Sequence, residues 1–339
     1  MRALFIAISA AVLVPVGVYC QAGSLDSDFD ADGTVTTVFV NSTSSNAAAI
    51  AVQADGKIVV AGAANFGGTE KNNFVITRYN IDGTLDNTFS SDGKVSIDFG
   101  GQDYLTDIAI QTDGKIVLVG STSGTDESFA IARLKANGTM DNSFNGNGKL
   151  IFYFFGNLSA DLISAVAIQS DGKIVVAGTA NSAFAVARFT TSGVVDSSFG
   201  NNGKATAGFG VGTTSSSSAI ALQADGKIVV GGACYGTNID FALCRYTVNG
   251  SLDNTFSLDG KTTTDVSGIP ETIRAVAIQP DGKIVACGTS NGADLALARY
   301  QPDGFLDLSF RGDGKLLTDF NGNSETGECM VLQPDGKIL

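Results

Sequence analysis

Six aspartates stand three residues ahead of a phenylalanine: Asp26/Phe29, Asp86/Phe89, Asp141/Phe144, Asp196/Phe199, Asp253/Phe256 and Asp307/Phe310. Five arginines recur in step with them, at Arg78, Arg133, Arg188, Arg245 and Arg299. A buried guanidinium needs an anionic partner, so the two sets could pair. An active site needs a residue once, whereas a packing device is needed in every repeat. The recurrence therefore reads as structural salt bridges. On this reading Arg188→Ala lowers the melting temperature without selectively removing any binding activity.

The remaining candidates for chemistry are weaker. The chain of 339 residues has no histidine and no tryptophan, which removes the commonest general base and metal ligand and every Ser–His or Cys–His pair. Asp28, Asp30 and Asp32 precede Gly33 in the spacing that opens a calcium loop, but the twelfth position is Phe39 where such loops need a bidentate Glu. An acidic solvated turn is the expectation. Asp103, Glu127, Asp161, Asp240, Glu271, Asp294 and Glu325 lie off the repeated markers, and two converging near an axis could act as an acid–base pair. Gly260-Lys261-Thr262 copies the end of a phosphate loop, but Thr255 stands where its leading glycine belongs, and no helix pattern follows. Ser215–Ser218 reads as a polar loop. No catalytic residue, metal site or cofactor is expected.

These residues sit in an internal repeat. Gln-x-Asp-Gly-Lys-Ile begins at Gln53, Gln111, Gln169, Gln223, Gln279 and Gln333, at separations of 58, 58, 54, 56 and 54 residues. Eleven of the 13 lysines fall on repeat positions and read as strand-edge charges that favour solubility. Each unit carries four strand patterns, in the second unit Lys94–Phe99, Thr106–Gln111, Lys115–Ser121 and Ser128–Leu134. Asp113-Gly114 signals a two-residue hairpin with positive φ at its centre. Ile108, Ile110, Ile116 and Leu118 alternate with Ala109, Val117 and Val119, so both faces are apolar and must be covered. Helical periodicity is absent past the first residues. Four antiparallel strands per unit of about 55 residues describe an all-β propeller of four-stranded blades, with an open β-solenoid as the rival.

The run LDNTFSSDGKVSIDFG, followed by DIAIQTDGKIVLVG and FAIARLKANGTMDNSF, resembles the delta-60 repeat, a family of β-propeller repeats in secreted proteins. The resemblance covers nearly everything from Leu25 to Leu339. It implies a propeller fold and export, and it brings no activity or catalytic residues. Thr34 departs from the usual Lys, and Met140 and Val195 from the usual Leu. Units begin near Leu25, Leu85, Met140, Val195, Leu252 and Leu306: five complete repeats and a sixth that stops inside its third strand. The expectation is a truncated reading frame, with Thr34–Val40 able to join the last blade.

Residues 1–22 read as a signal peptide: one positive charge at Arg2, an apolar run Ala3–Val14, and small residues before Gly23. Residues 23–339 then form the repeat domain, secreted, with no membrane span left. Loss of Arg2 takes the net charge from −13 to −14, which disfavours nucleic acid as a partner. Cys234, Cys244, Cys287 and Cys329 replace small residues of the repeat and are expected as buried thiols, with a Cys234–Cys244 bridge as the alternative. Asn41, Asn137, Asn157 and Asn249 carry glycan acceptor sequences. The expected function is a monomeric binding scaffold for a protein or glycan ligand, and the alternative is a carboxylate-based hydrolase or lyase on glycans or lactones.

Overall fold

The computed structural model describes residues 24–67, 72–123, 127–155, 161–290, 294–320 and 325–339. The described residues hold five four-stranded antiparallel sheets and no helix. The first consists of β1 (Ser44–Val52), β2 (Ile58–Asn65), β3 (Asn72–Tyr79) and β4 (Lys94–Ile97); the second of β5 (Gln102–Ile110), β6 (Ile116–Ser123), β7 (Glu127–Leu134) and β8 (Lys149–Phe152). The third has β9 (Leu162–Ile168), β10 (Ile174–Ala180), β11 (Ala183–Phe189) and β12 (Lys204–Ala207). The fourth has β13 (Thr214–Leu222), β14 (Ile228–Tyr235), β15 (Ile239–Tyr246) and β16 (Lys261–Thr264). The fifth has β17 (Glu271–Ile278), β18 (Ile284–Ser290), β19 (Asp294–Tyr300) and β20 (Lys315–Thr318). Strands pair in sequence order within every sheet, and the first strands of successive sheets neighbour one another, as in the expected propeller.

The sheets do not share the phase of the sequence units. Lys94–Ile97 pairs with β3 through Phe74↔Ile97 and Thr77↔Lys94, so this segment closes one sheet and does not open the next. Middle strands are buried on both faces, β6 reading Ile-Val-Leu-Val with every side chain covered. Their apolar side chains fill the gaps between blades: Val117, Val119, Phe129 and Ile131 meet Ile163, Val166, Ile174 and Val176.

Two turn features depart from the simplest reading. The Asp-Gly hairpins are three-residue loops with a glycine bulge: Gly114 N donates to Gln111 O at 2.9 Å, Gln111 N donates to Lys115 O at 2.8 Å, and only Gly114 has positive φ, +81°. Asp113 instead accepts the Lys115 N–H at 3.2 Å, which explains its place in the motif. Each inner strand also carries a β-bulge, as between Leu105 and Asp107. Opposite every bulge stands a glycine (Gly62, Gly120, Gly178, Gly232 or Gly288), where a β-carbon would overlap a carbonyl oxygen of the inner strand.

Residues 29–40 flank the first sheet with the contacts that a preceding blade makes elsewhere. Asp30 N donates to Asp82 O at 2.8 Å, Lys94 Nζ reaches Val38 O at 2.7 Å, and buried Phe39 packs on Ala64 and Val75. On the other side, Val331 and Leu339 pair through two 2.9 Å backbone bonds against the fifth sheet.

Candidate functional site

Antiparallel order gives the sheets two ends of different character. At one end the connections have constant length. The β1–β2 type spans five residues in every sheet (53–57, 111–115, 169–173, 223–227, 279–283) and the β3–β4 type fourteen (80–93, 135–148, 190–203, 247–260, 301–314). At the other end lengths vary. Connections between second and third strands run 66–71, 124–126, 181–182, 236–238 and 291–293, and those between sheets 98–101, 153–161, 208–213 and 265–270.

The constant end holds the arginines and aspartates, and the structure pairs all five sets. Arg188 Nε donates to Asp196 Oδ2 at 2.8 Å, and the equivalent distances are 2.7 Å for Arg78–Asp86 and 2.8 Å for Arg133–Asp141, Arg245–Asp253 and Arg299–Asp307. The phenylalanine three residues on lies under the guanidinium, 4.7 Å from Arg188 to the Phe199 centroid. A second nitrogen crosses to the next repeat: Arg188 Nη1 donates to Val248 O at 2.6 Å, Arg133 Nη1 to Thr191 O at 2.5 Å, and Arg78 and Arg245 likewise to Ala136 O and Pro302 O. One guanidinium thus fastens its own turn and the next blade. Burial pushes the Asp196 carboxyl up, but the Ser198 hydroxyl and N–H, with Arg188 and Lys173, outweigh it and hold the group at about 2; Asp253 and Asp307 are held at about 2 in the same way.

The lysines do more than charge an edge. Lys57, Lys173, Lys227 and Lys283 join the paired aspartates at 2.9–3.4 Å. The other row reaches back a whole blade to backbone carbonyls: Lys149 Nζ to Asp98 O at 2.8 Å, Lys261 to Gly208 O at 3.0 Å and Lys315 to Asp265 O at 2.7 Å.

The variable end gathers the acids that the markers leave out. Asp240, Asp265 and Glu271 bring carboxylate oxygens within 4.8 Å of one another, and Asp294, Asp319 and Glu325 do the same one blade on. Asp240, Glu271, Asp294 and Glu325 therefore belong to a second repeat, at a spacing of 54 residues. The triads lie at blade junctions. Oxygen donors of this kind suit a divalent cation. Glu271, however, already spends both oxygens on its turn, accepting the Val266 N–H at 2.7 Å and the Ser267 N–H and hydroxyl at 2.5 Å. Asp103 and Asp161 occupy the same inner-strand position and cap their own connections, through Phe99 N–H at 2.7 Å and Phe154 N–H at 2.8 Å. Burial, then the charge of Asp265, pushes the Asp240 carboxyl up. The side chain of Glu127 falls outside the described residues.

Other expectations resolve as follows. Asp32 Oδ1 accepts the Thr34 N–H at 2.8 Å, and the Asp30 backbone N–H donates to Asp82 O at 2.8 Å. Cys234, Cys244 and Cys287 are buried free thiols as expected, but Cys329 is exposed. Asn41, Asn137 and Asn249 are exposed, and Asn157 lies outside the described residues. Among the described residues no helix is long and apolar enough to cross a membrane.

Five four-stranded antiparallel sheets, fastened blade to blade by one repeated ionic device, define a β-propeller. Five repeats of the chain match a propeller repeat family: residues 53–89, 111–144, 169–199, 223–256 and 279–310 match the family described as "Domain of unknown function (DUF5122) beta-propeller", each match running from the hairpin glutamine to the marker phenylalanine. A search of curated proteins finds no match to this chain. Among solved structures it is similar to a catalytically inactive virginiamycin B lyase from Staphylococcus aureus with quinupristin (13% identity, TM-score 0.51, covering 89% of this chain and 85% of the other). It is also similar to a glucose dehydrogenase (12%, 0.51, 86% and 91%) and to a protein of unknown function from Dyadobacter fermentans (11%, 0.50, 82% and 84%). At these identities the likeness shows the fold.

Proposed function

We propose that this chain is a secreted binding scaffold of the delta-60 repeat type that recognises a protein or glycan through the variable end of its blades and works as a monomer. The contrast between the two ends carries this reading: every connection at one end has a fixed length and a fastening role, while length and sequence vary at the other. Tyr104 and Tyr235, 46% and 38% exposed at the variable end, offer faces for stacking on a sugar or an apolar side chain. The inactive lyase among the similar structures carries alanine in place of a histidine, and this chain has no histidine at all, so that protein's chemistry has no counterpart here.

A glycan array probed with the full chain tests the reading. Capture on at least one glycan should fall tenfold or more in Tyr104→Ala or Tyr235→Ala and persist in Leu258→Ala, at the constant end. Capture lost only in the constant-end variant would overturn it. A second reading, a carboxylate hydrolase, rests on the Asp240 triad. Turnover of lactones or aryl glycosides that Asp240→Asn abolishes would establish it instead.

A further inference from the structure

The inner strands contain one acid that no repeat explains. Asp107 follows the bulge of β5, and the same register position is Ala49 in β1, Ala165 in β9, Ala219 in β13 and Ala275 in β17. Its Oδ1 accepts the Ile108 N–H at 2.8 Å. Its Oδ2 crosses to the next blade and accepts the Val166 N–H, also at 2.8 Å. Both β5 and β9 are first strands, each with one edge unpaired by any strand of its own sheet. The carboxylate therefore ties two inner edges together from a register position that is alanine in the other four first strands, whereas the next two junctions are tied by hydroxyls, Ser164 to Ser217 at 3.2 Å and Ser218 to Ile273 O.

No charge offsets it. The strands packed against β5 are β1, β2, β3, β6 and β9. Of these, β1, β2, β6 and β9 contain no ionisable side chain. On β3, Arg78 is engaged by Asp86 and Tyr79 by Thr37. On β5 itself, Asp103 is held by Phe99 N–H and Thr122, and the Tyr104 hydroxyl donates to Gln102. We infer that Asp107 is a proton-operated latch between the inner strands of the second and third blades: ionised, it holds the Val166 N–H, and protonated, it releases that N–H and loosens the junction.

The switch falls in a useful range. Burial pushes the Asp107 carboxyl up to about 6, against the opposing pull of the Val166 and Ile108 N–H groups. The folded chain therefore takes up a proton that the unfolded chain does not. The group's contribution to stability is full below about pH 4 and is lost as pH rises through 6.

Hydrogen exchange at the Val166 amide, corrected for intrinsic rate, tests the inference on the full chain. In the wild type the amide should exchange about thirtyfold faster at pH 5 than at pH 7.5, because the protonated fraction of Asp107 rises from about 3% to about 90% between them. In Asp107→Asn the corrected rate should be the same at both pH values. That variant should also melt several degrees above wild type at pH 7.5, with the gap closing near pH 4. Asp107→Ala, carrying the residue of four other inner strands, serves if the asparagine variant does not fold, and should leave Val166 unprotected at both pH values. Wild-type protection that is the same at both pH values, or the same pH dependence in the variants, would overturn the latch.

Discussion

Tyr79, Tyr246 and Tyr300 close equivalent third strands, and what faces each hydroxyl differs. Tyr79 meets Thr37 at 2.5 Å and Tyr300 donates to Thr264 at 2.9 Å. The counterpart of Thr264 one blade earlier is Ala207, and the buried Tyr246 hydroxyl, beside Cys244, finds no oxygen there. Removing a buried hydroxyl bonded to oxygen costs about 1 kcal/mol, whereas removing one that faces only a thiol costs little. Tyr300→Phe should therefore lower stability by about 1 kcal/mol in urea melts, and Tyr246→Phe should match or exceed wild type. The clamp aspartates set the acid limit. Asp196, Asp253 and Asp307 are held at about 2 in the folded chain, below the ordinary 3.8. Their contribution is present above pH 4 and is lost as pH falls from 4 to 2, about 2 kcal/mol for each. An acid titration followed by circular dichroism should show unfolding in that interval, and a midpoint above pH 4.5 would count against these pairs.

At the scale of the element, the bulged inner strand and the glycine opposite it form one unit. Gly120 has no room for a β-carbon against the Tyr104 carbonyl and Leu105. Gly120→Ala should cost more than about 3 kcal/mol, as backbone displacement inside a packed sheet does. An unchanged melting temperature in that variant would mean that the bulge relaxes freely. The strands and hairpins were legible in the residues because Gln-x-Asp-Gly-Lys-Ile and the alternating apolar runs repeat at near-constant spacing. Arg and Asp were legible as partners because eight residues separate them in every blade. The lysine staples were not, since their acceptors are backbone carbonyls 50–56 residues away, which no side-chain pattern marks. The grouping of strands into sheets was hidden too. The fourteen-residue connection carries the strongest markers and draws the eye to a boundary that hydrogen bonding crosses.

For the molecule as a whole, the contrast between ends sorts its charges. Those at the constant end sit on invariant spacing and hold blades together. The acids at the variable end, Asp103, Asp161, Glu271 and Glu325, share one structural position that insertions of different length disguise in sequence. The convergence of Glu271 with Asp240 and Asp265, and of Glu325 with Asp294 and Asp319, could not be read without the fold, because side chains far apart in sequence contribute. Asp107 stands out in the sequence itself, since Ala49, Ala165, Ala219 and Ala275 occupy the same place four residues before the repeated glutamine, but its bond to the Val166 N–H of the next blade needs the fold. The claim on which the rest depends is that the repeated ion pairs fasten the propeller. Calorimetric melting of Arg188→Ala beside wild type tests it most directly. Arg188 and Asp196 are 5% and 8% exposed, so removing the guanidinium leaves a buried carboxylate and unties Val248, at a cost of about 3–5 kcal/mol. The expected result is a melting temperature lower by roughly 5–10 °C. A melting temperature equal to that of wild type would contradict the claim.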